Sequence, residues 1–119
     1  MTDTPSSLSL ADANRQLFTR YAALIAAQDS PDLLGEDPRL SQDNLAWMCA
    51  EGARLAGDMP DDKASRWLGF IQGCLAMRRL IDVDAERDIT RPLFHAAARA
   101  RGIDPGPTRA REGGSSDGV

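Results

Sequence analysis

Apolar residues recur at every third or fourth position along several stretches of this chain, and that spacing limits the fold more than any other feature. Side chains separated by three or four positions share one side of a helix, because each residue advances about 100° around the axis. From Leu10 through Ala13, Leu17, Phe18, Tyr21, Leu24 and Ile25 they form one such stripe, which predicts a surface helix with one buried face. Ser9 precedes it as a cap whose hydroxyl can take the amide three residues on, and Asp12 suits the positive end of the helix. Asp29-Ser-Pro-Asp and Gly35-Glu-Asp-Pro then interrupt the periodicity and predict a loop, with Leu33 and Leu34 dipping toward the core.

Ser41 is placed to cap a second helix running to about Ala56, with Gly57 ending it in a left-handed turn. Its inner face reads Leu45, Met48, Cys49, Gly52, Leu55 and Ala56. Trp47 falls nearly opposite, so it either packs under the preceding loop or stands on the surface. The third helix, about Asp61 to Leu80, opens after a proline that its first turn tolerates, with Asp61 and Asp62 favouring its positive end. Its apolar residues cover roughly half the circumference, wider than the ~100° stripe that one core contact needs. They fall into two sectors. Ala64, Leu68, Ile71 and Leu75 form one; Phe70, Cys74 and Met77 form the other, with Trp67 between them and Gly69 and Gly73 beside the second. Either one monomer buries the helix on both sides, or one sector faces a partner.

Asp82 or Asp84 caps a fourth helical region, where Asp84, Glu86, Arg87, Asp88 and Arg91 read as a solvated face of weak charge pairs. Pro92 predicts a kink or a restart capped by Thr90, followed by a helical piece from Leu93 to about Ala100 that Gly102 ends. The expectation is an all-α bundle of about four helices in one domain, residues 1–103, with a disordered tail at 104–119 rich in Pro, Gly, Ser and charge. Aromatics are 5% of the 119 residues and apolar residues 42%, so the core has to come from Leu, Ile, Met and Ala on closely packed helices.

The N-terminus offers no basic or apolar leader, and no window approaches a membrane span, which predicts a cytoplasmic protein without membrane contact. Residues 1–62 carry 11 acidic and 4 basic side chains and residues 63–119 carry 7 and 10, or about −7 and +3. Opposite halves favour a compact or self-associating protein, here a homodimer, over direct nucleic-acid binding. The lone histidine, His95, has no metal-ligand neighbours in sequence, and Cys49 and Cys74 read as small buried hydrophobes. Phosphate-cradling, nucleophile-elbow and zinc motifs are all missing, while the Asp61-Asp62 and Asp82-x-Asp84 pairs sit where helix caps belong. The expectation is a chain that is not an enzyme and holds no metal or cofactor.

The run Asp61-Asp-Lys-Ala-Ser-Arg-Trp-Leu-Gly-Phe-Ile-Gln-Gly-Cys-Leu, followed by Ile81-Asp-Val-Asp-Ala-Glu-Arg-Asp-Ile-Thr-Arg-Pro-Leu-Phe-His95, resembles the QslA family of small helical antiactivators from Pseudomonas and phages. The resemblance spans about residues 40–100. It implies a dimeric helical protein that binds the ligand-binding domain of the quorum-sensing transcriptional regulator LasR, disrupts its dimerisation and blocks its DNA binding. The residues expected to meet such a partner are Trp67, Phe70, Ile71, Cys74, Met77, Arg78 and Trp47, with Arg79 and Arg91 near the patch edge. The alternative is a phage-type module that inhibits another host defence protein, or that sequesters a small nucleotide or signal ligand with Arg78, Arg79, Arg87 and Arg91.

Overall fold

The computed structural model describes residues 8–28 and 37–104. The lead-in, the loop with Leu33 and Leu34, and the tail from residue 105 onward lie outside the described residues. Four α-helices form, joined by one 3-10 turn at Pro38–Leu40, and there is no strand among the described residues.

The first helix, α1 (Leu10–Ala26), starts as its sequence predicts. The Ser9 hydroxyl accepts from the Asp12 amide at 3.0 Å, and the Asp12 carboxylate accepts from the Ser9 amide at 3.4 Å. This reciprocal box satisfies two otherwise orphaned donors and is worth ~1 kcal/mol. The second helix, α2 (Gln42–Leu55), is capped by Ser41, whose hydroxyl accepts from the Asn44 amide at 3.0 Å. The Gln42 side chain donates to the Ile25 and Gln28 carbonyls at 3.1 and 3.2 Å, closing the end of α1. At the opposite end, Arg15 Nε donates to the Ala53 carbonyl at 3.2 Å. The two helices therefore run antiparallel. Between them Gly52 meets Phe18 so closely that a Cβ would stand 2.5 Å from the ring, which only glycine avoids.

The left-handed turn expected at Gly57 does not form. Ala56 keeps a right-handed conformation, and the Asp58 and Met59 amides both donate to the Leu55 carbonyl at 2.8 Å, so that end is satisfied without a positive φ.

The third helix, α3 (Asp61–Met77), stops three residues earlier than its periodicity suggests. Arg79 takes the left-handed conformation at φ 63°, which lets the Leu80 amide reach the Leu75 carbonyl at 2.9 Å and the Arg79 amide reach Ala76 at 3.0 Å. That bond pair defines a Schellman ending, built here on arginine where glycine is usual.

The fourth helix, α4 (Val83–Ala100), is capped by Asp82, whose carboxylate accepts from the Ala85 amide at 2.9 Å. It runs unbroken through Pro92, so the expected restart at Thr90 is not there. Pro92 lies on the exposed side, so the helix bond that its missing amide cannot make is absent at the surface and not in the core. Packing of Leu93, Ala96 and Ala97 holds the helix on the domain across that gap. Gly102, at φ 78°, ends α4 with the same bond pair, from Gly102 to Arg99 and from Ile103 to Ala98.

The core gathers Leu17, Phe18, Tyr21 and Ile25 of α1, Leu45 and Cys49 of α2, and Leu68, Ile71 and Leu75 of α3. No helix among the described residues is long and apolar enough to cross a membrane.

Candidate docking face

The two sectors of α3 have different fates. Ala64, Leu68, Ile71 and Leu75 point into the core, whereas in the other row Phe70 and Met77 are exposed and Trp67 and Cys74 pack partly against the core's edge. Trp67, Phe70, Cys74 and Met77 are spaced by three, four and three residues, so they share one side of the helix over nearly three turns. Met77 is 84% exposed and Phe70 38%. Cys74 and Trp67 are half-buried.

Trp47 extends this row onto α2. Its ring lies against Trp67, with centroids 5.9 Å apart and planes at 45°, yet it remains 55% exposed. Lys63, one turn before Trp67, holds its ammonium 5.3 Å from that ring's centroid, a cation–π contact of ~0.5–1 kcal/mol at a wet site. Further along, Leu40, Gly69, Phe70, Gly73, Cys74, Met77 and Arg78 line an open groove of about 510 Å³. A Cβ on Gly69 or Gly73 would meet nothing within 4 Å outside its own helix backbone among the described residues, so none of them uses the space those glycines leave.

Six of the seven residues expected to meet a partner thus lie on or beside one face. Ile71 does not. It is 0% exposed, because one further residue around the helix carries it from the Phe70 row into the core row. Arg78 borders the groove, but its Nη2 donates to the Leu40 carbonyl at 2.7 Å, tying the end of α3 to the 3-10 turn rather than leaving its guanidinium to solvent alone.

The polar cluster that the sequence pattern hid centres on Glu86. Counted among a solvated charge face, it is in fact 5% exposed. Its carboxylate accepts from Arg20 Nε at 3.0 Å and Nη2 at 2.8 Å, and from the Tyr21 hydroxyl at 2.6 Å. Gln72 Nε2 donates to the same hydroxyl at 2.9 Å. One carboxylate therefore joins α4 to α1, and through the tyrosine to α3. Burial pushes the Glu86 carboxyl up, but the hydrogen bonds from Arg20 and Tyr21 outweigh it and hold it below the usual range. Burial, then the neighbouring Glu86, pushes the Tyr21 hydroxyl well up, so it stays a donor. The available signal was Tyr21 itself, since a hydroxyl in the middle of an apolar stripe needs a buried partner.

The four arginines of the alternative ligand reading do not share one cradle. Arg78 bonds Leu40, and Arg79 is committed to the turn after α3. The hollow beside Arg79 is lined by Ala76, Leu80, Ile81, Asp82, Val83 and Asp84, with two carboxylates and neither Arg87 nor Arg91. One guanidinium nitrogen of Arg91 is buried without a partner among the described residues. His95 is half-buried on α4. Among the described residues no three His, Cys, Asp or Glu side chains stand close enough together to hold a metal ion.

No known protein family matches the chain, and no curated protein or solved structure does either.

Proposed function

We propose that this chain is a protein-binding inhibitor that works through the outer face of α3, and that its target is the ligand-binding domain of a LasR-type quorum-sensing regulator. The observation that carries the docking part is the exposed pair Phe70 and Met77 on α3, extended by Trp47 of α2, which lies against Trp67. Large apolar side chains cost free energy when left in water, at ~25 cal/mol per Å², and a partner that covers them recovers it. Aromatic and long apolar anchors of this kind dominate the energetics of protein interfaces. The choice of LasR rests on the resemblance of about residues 40–100 to the QslA antiactivators. Homodimerisation belongs to the same reading, supported by the opposite charges of the two halves of the chain.

Mixing the purified chain with the LasR ligand-binding domain tests this. Size-exclusion chromatography with light scattering should give a stoichiometric complex at micromolar concentration, with LasR no longer self-associated. Trp67→Ala and Phe70→Ala should each weaken it at least tenfold. A LasR domain that elutes unchanged removes the target; a complex insensitive to both substitutions removes the face. Light scattering of the chain alone decides the dimer, which a monomeric mass at both low and high concentration would contradict.

A further inference from the structure

We infer that the occupant of the α3 groove is a single amphipathic helix of the partner, apolar along one side and edged with carboxylates; this deepens the docking reading and depends on it. The first argument is shape. Trp67, Phe70, Cys74 and Met77 repeat with the three-and-four spacing of a seam that receives another helix. From Trp67 to Met77 the seam runs about 15 Å, at 1.5 Å per residue, which matches three turns of a partner helix. Gly69 and Gly73 deepen the groove on one side of it, and among the described residues nothing beyond their own helix backbone comes within 4 Å of where their side chains would begin. A partner helix can therefore settle toward the near end of the 8–10 Å range of interaxial distances. With apolar anchors at three-and-four spacing, helix-in-groove is the recognition mode that fits.

The second argument is charge. Between Lys63 and Arg79 this helix and its terminal turn carry four cations, Lys63, Arg66, Arg78 and Arg79, and no carboxylate. Asp62, just before them, is engaged with Arg66 at 2.7 Å. Lys63, over the Trp67 ring, stands at one end of the seam and Arg78, on the groove wall, at the other, so a partner helix with acidic edges meets a cation at each end. A second copy laid α3 against α3 would bring Lys63 and Arg78 against their own copies with no carboxylate of the seam between them, which disfavours self-association through this face.

The test uses the full chain, labelled with ¹⁵N, and three synthetic 18-residue helical peptides with the same Leu/Ile stripe. Their edge positions carry Glu, Gln or Lys. The Glu-edged peptide should shift the amides of Gly69, Phe70, Gly73 and Met77, bind at least tenfold more tightly than the Lys-edged one, and weaken as salt is raised. The double substitution Gly69→Leu, Gly73→Leu should fill the groove and cost at least tenfold in affinity. Its melting temperature should not fall, since both side chains enter open space. Absent shifts at these amides, equal binding of the Lys-edged peptide, or unaltered binding by the glycine variant would each overturn the inference. So would a wild-type chain whose amides shift in the same places on simple concentration, which identifies a second copy as the occupant. The glycine variant also separates this inference from the docking reading. Capture of LasR that survives the glycine substitutions but not Trp67→Ala leaves the face standing and rejects the helix, whereas capture that survives both rejects the face.

Discussion

Replacing Glu86 by glutamine keeps the side chain's size and removes the charge that joins three helices. The carboxylate takes two hydrogen bonds from Arg20 and one from Tyr21. An amide can accept one of these with its oxygen, but its NH₂ then faces a guanidinium that also donates. Removing one partner of a fully buried ion pair costs ~3–5 kcal/mol. Here the Arg20 side chain is 36% exposed and can recover water, and Tyr21 keeps its bond from Gln72. Two charge-assisted bonds are therefore lost without an orphaned buried cation, and the expected cost is about 2–3 kcal/mol. For a domain of this size that lowers the melting temperature by roughly 10–20 °C. The sign of the pH dependence follows from the lowered pKa of Glu86 in the folded state. Its stabilisation is fully present above the unfolded-state value, near 4.5, and is lost as pH falls through the lower folded-state value. Urea melts of wild type and Glu86→Gln between pH 7 and 3 should show a gap that is constant down to about pH 5 and then closes. A gap below about 0.5 kcal/mol at pH 7, or one that stays constant to pH 3, would refute this account of the cluster.

Arg79→Gly should stabilise the domain by about 0.5–1 kcal/mol, because relief of the left-handed strain exceeds the extra chain entropy of glycine; a lower melting temperature would show that the arginine side chain contributes more than its backbone costs. Gly52→Ala should destabilise by about 1–3 kcal/mol by forcing Phe18 from its place between α1 and α2, and an unchanged urea midpoint would contradict that contact. Burial pushes the Cys49 thiol up to about 12, so at pH 8 a thiol reagent should modify Cys74 of the native chain and reach Cys49 only when denaturant is added. Modification of both at equal rates would place Cys49 outside the core.

The sequence carries the local structure of this chain well because its signals are local. Ser9, Ser41 and Asp82 each have the hydroxyl or carboxylate that an exposed first turn demands, and each caps its helix. The division of α3 into an inner and an outer row also follows from spacing alone. Which row faces out does not, because that depends on where α1 and α2 lie. Glu86 was misplaced for the same reason: its neighbours at three and four positions form a plausible exposed charge pattern, while the partners that bury it, Arg20 and Tyr21, are more than sixty residues away. Gly57 and Arg79 exchange the roles that composition suggests, because a left-handed turn forms where the next element must be redirected, and Leu80 has to fold back onto Leu75 to begin the path to α4.

These two limits bear directly on α3. Its inner row and the Gln72 link to Tyr21 fix the rotation of the helix about its axis, so the Phe70–Met77 row cannot turn inward without extracting Ile71 and Leu75. With Trp47 braced on Trp67 and Arg78 tied to Leu40, that row stands on a helix held at both ends. A partner that binds it therefore meets a surface already shaped, and the ordering cost of association falls mainly on the partner.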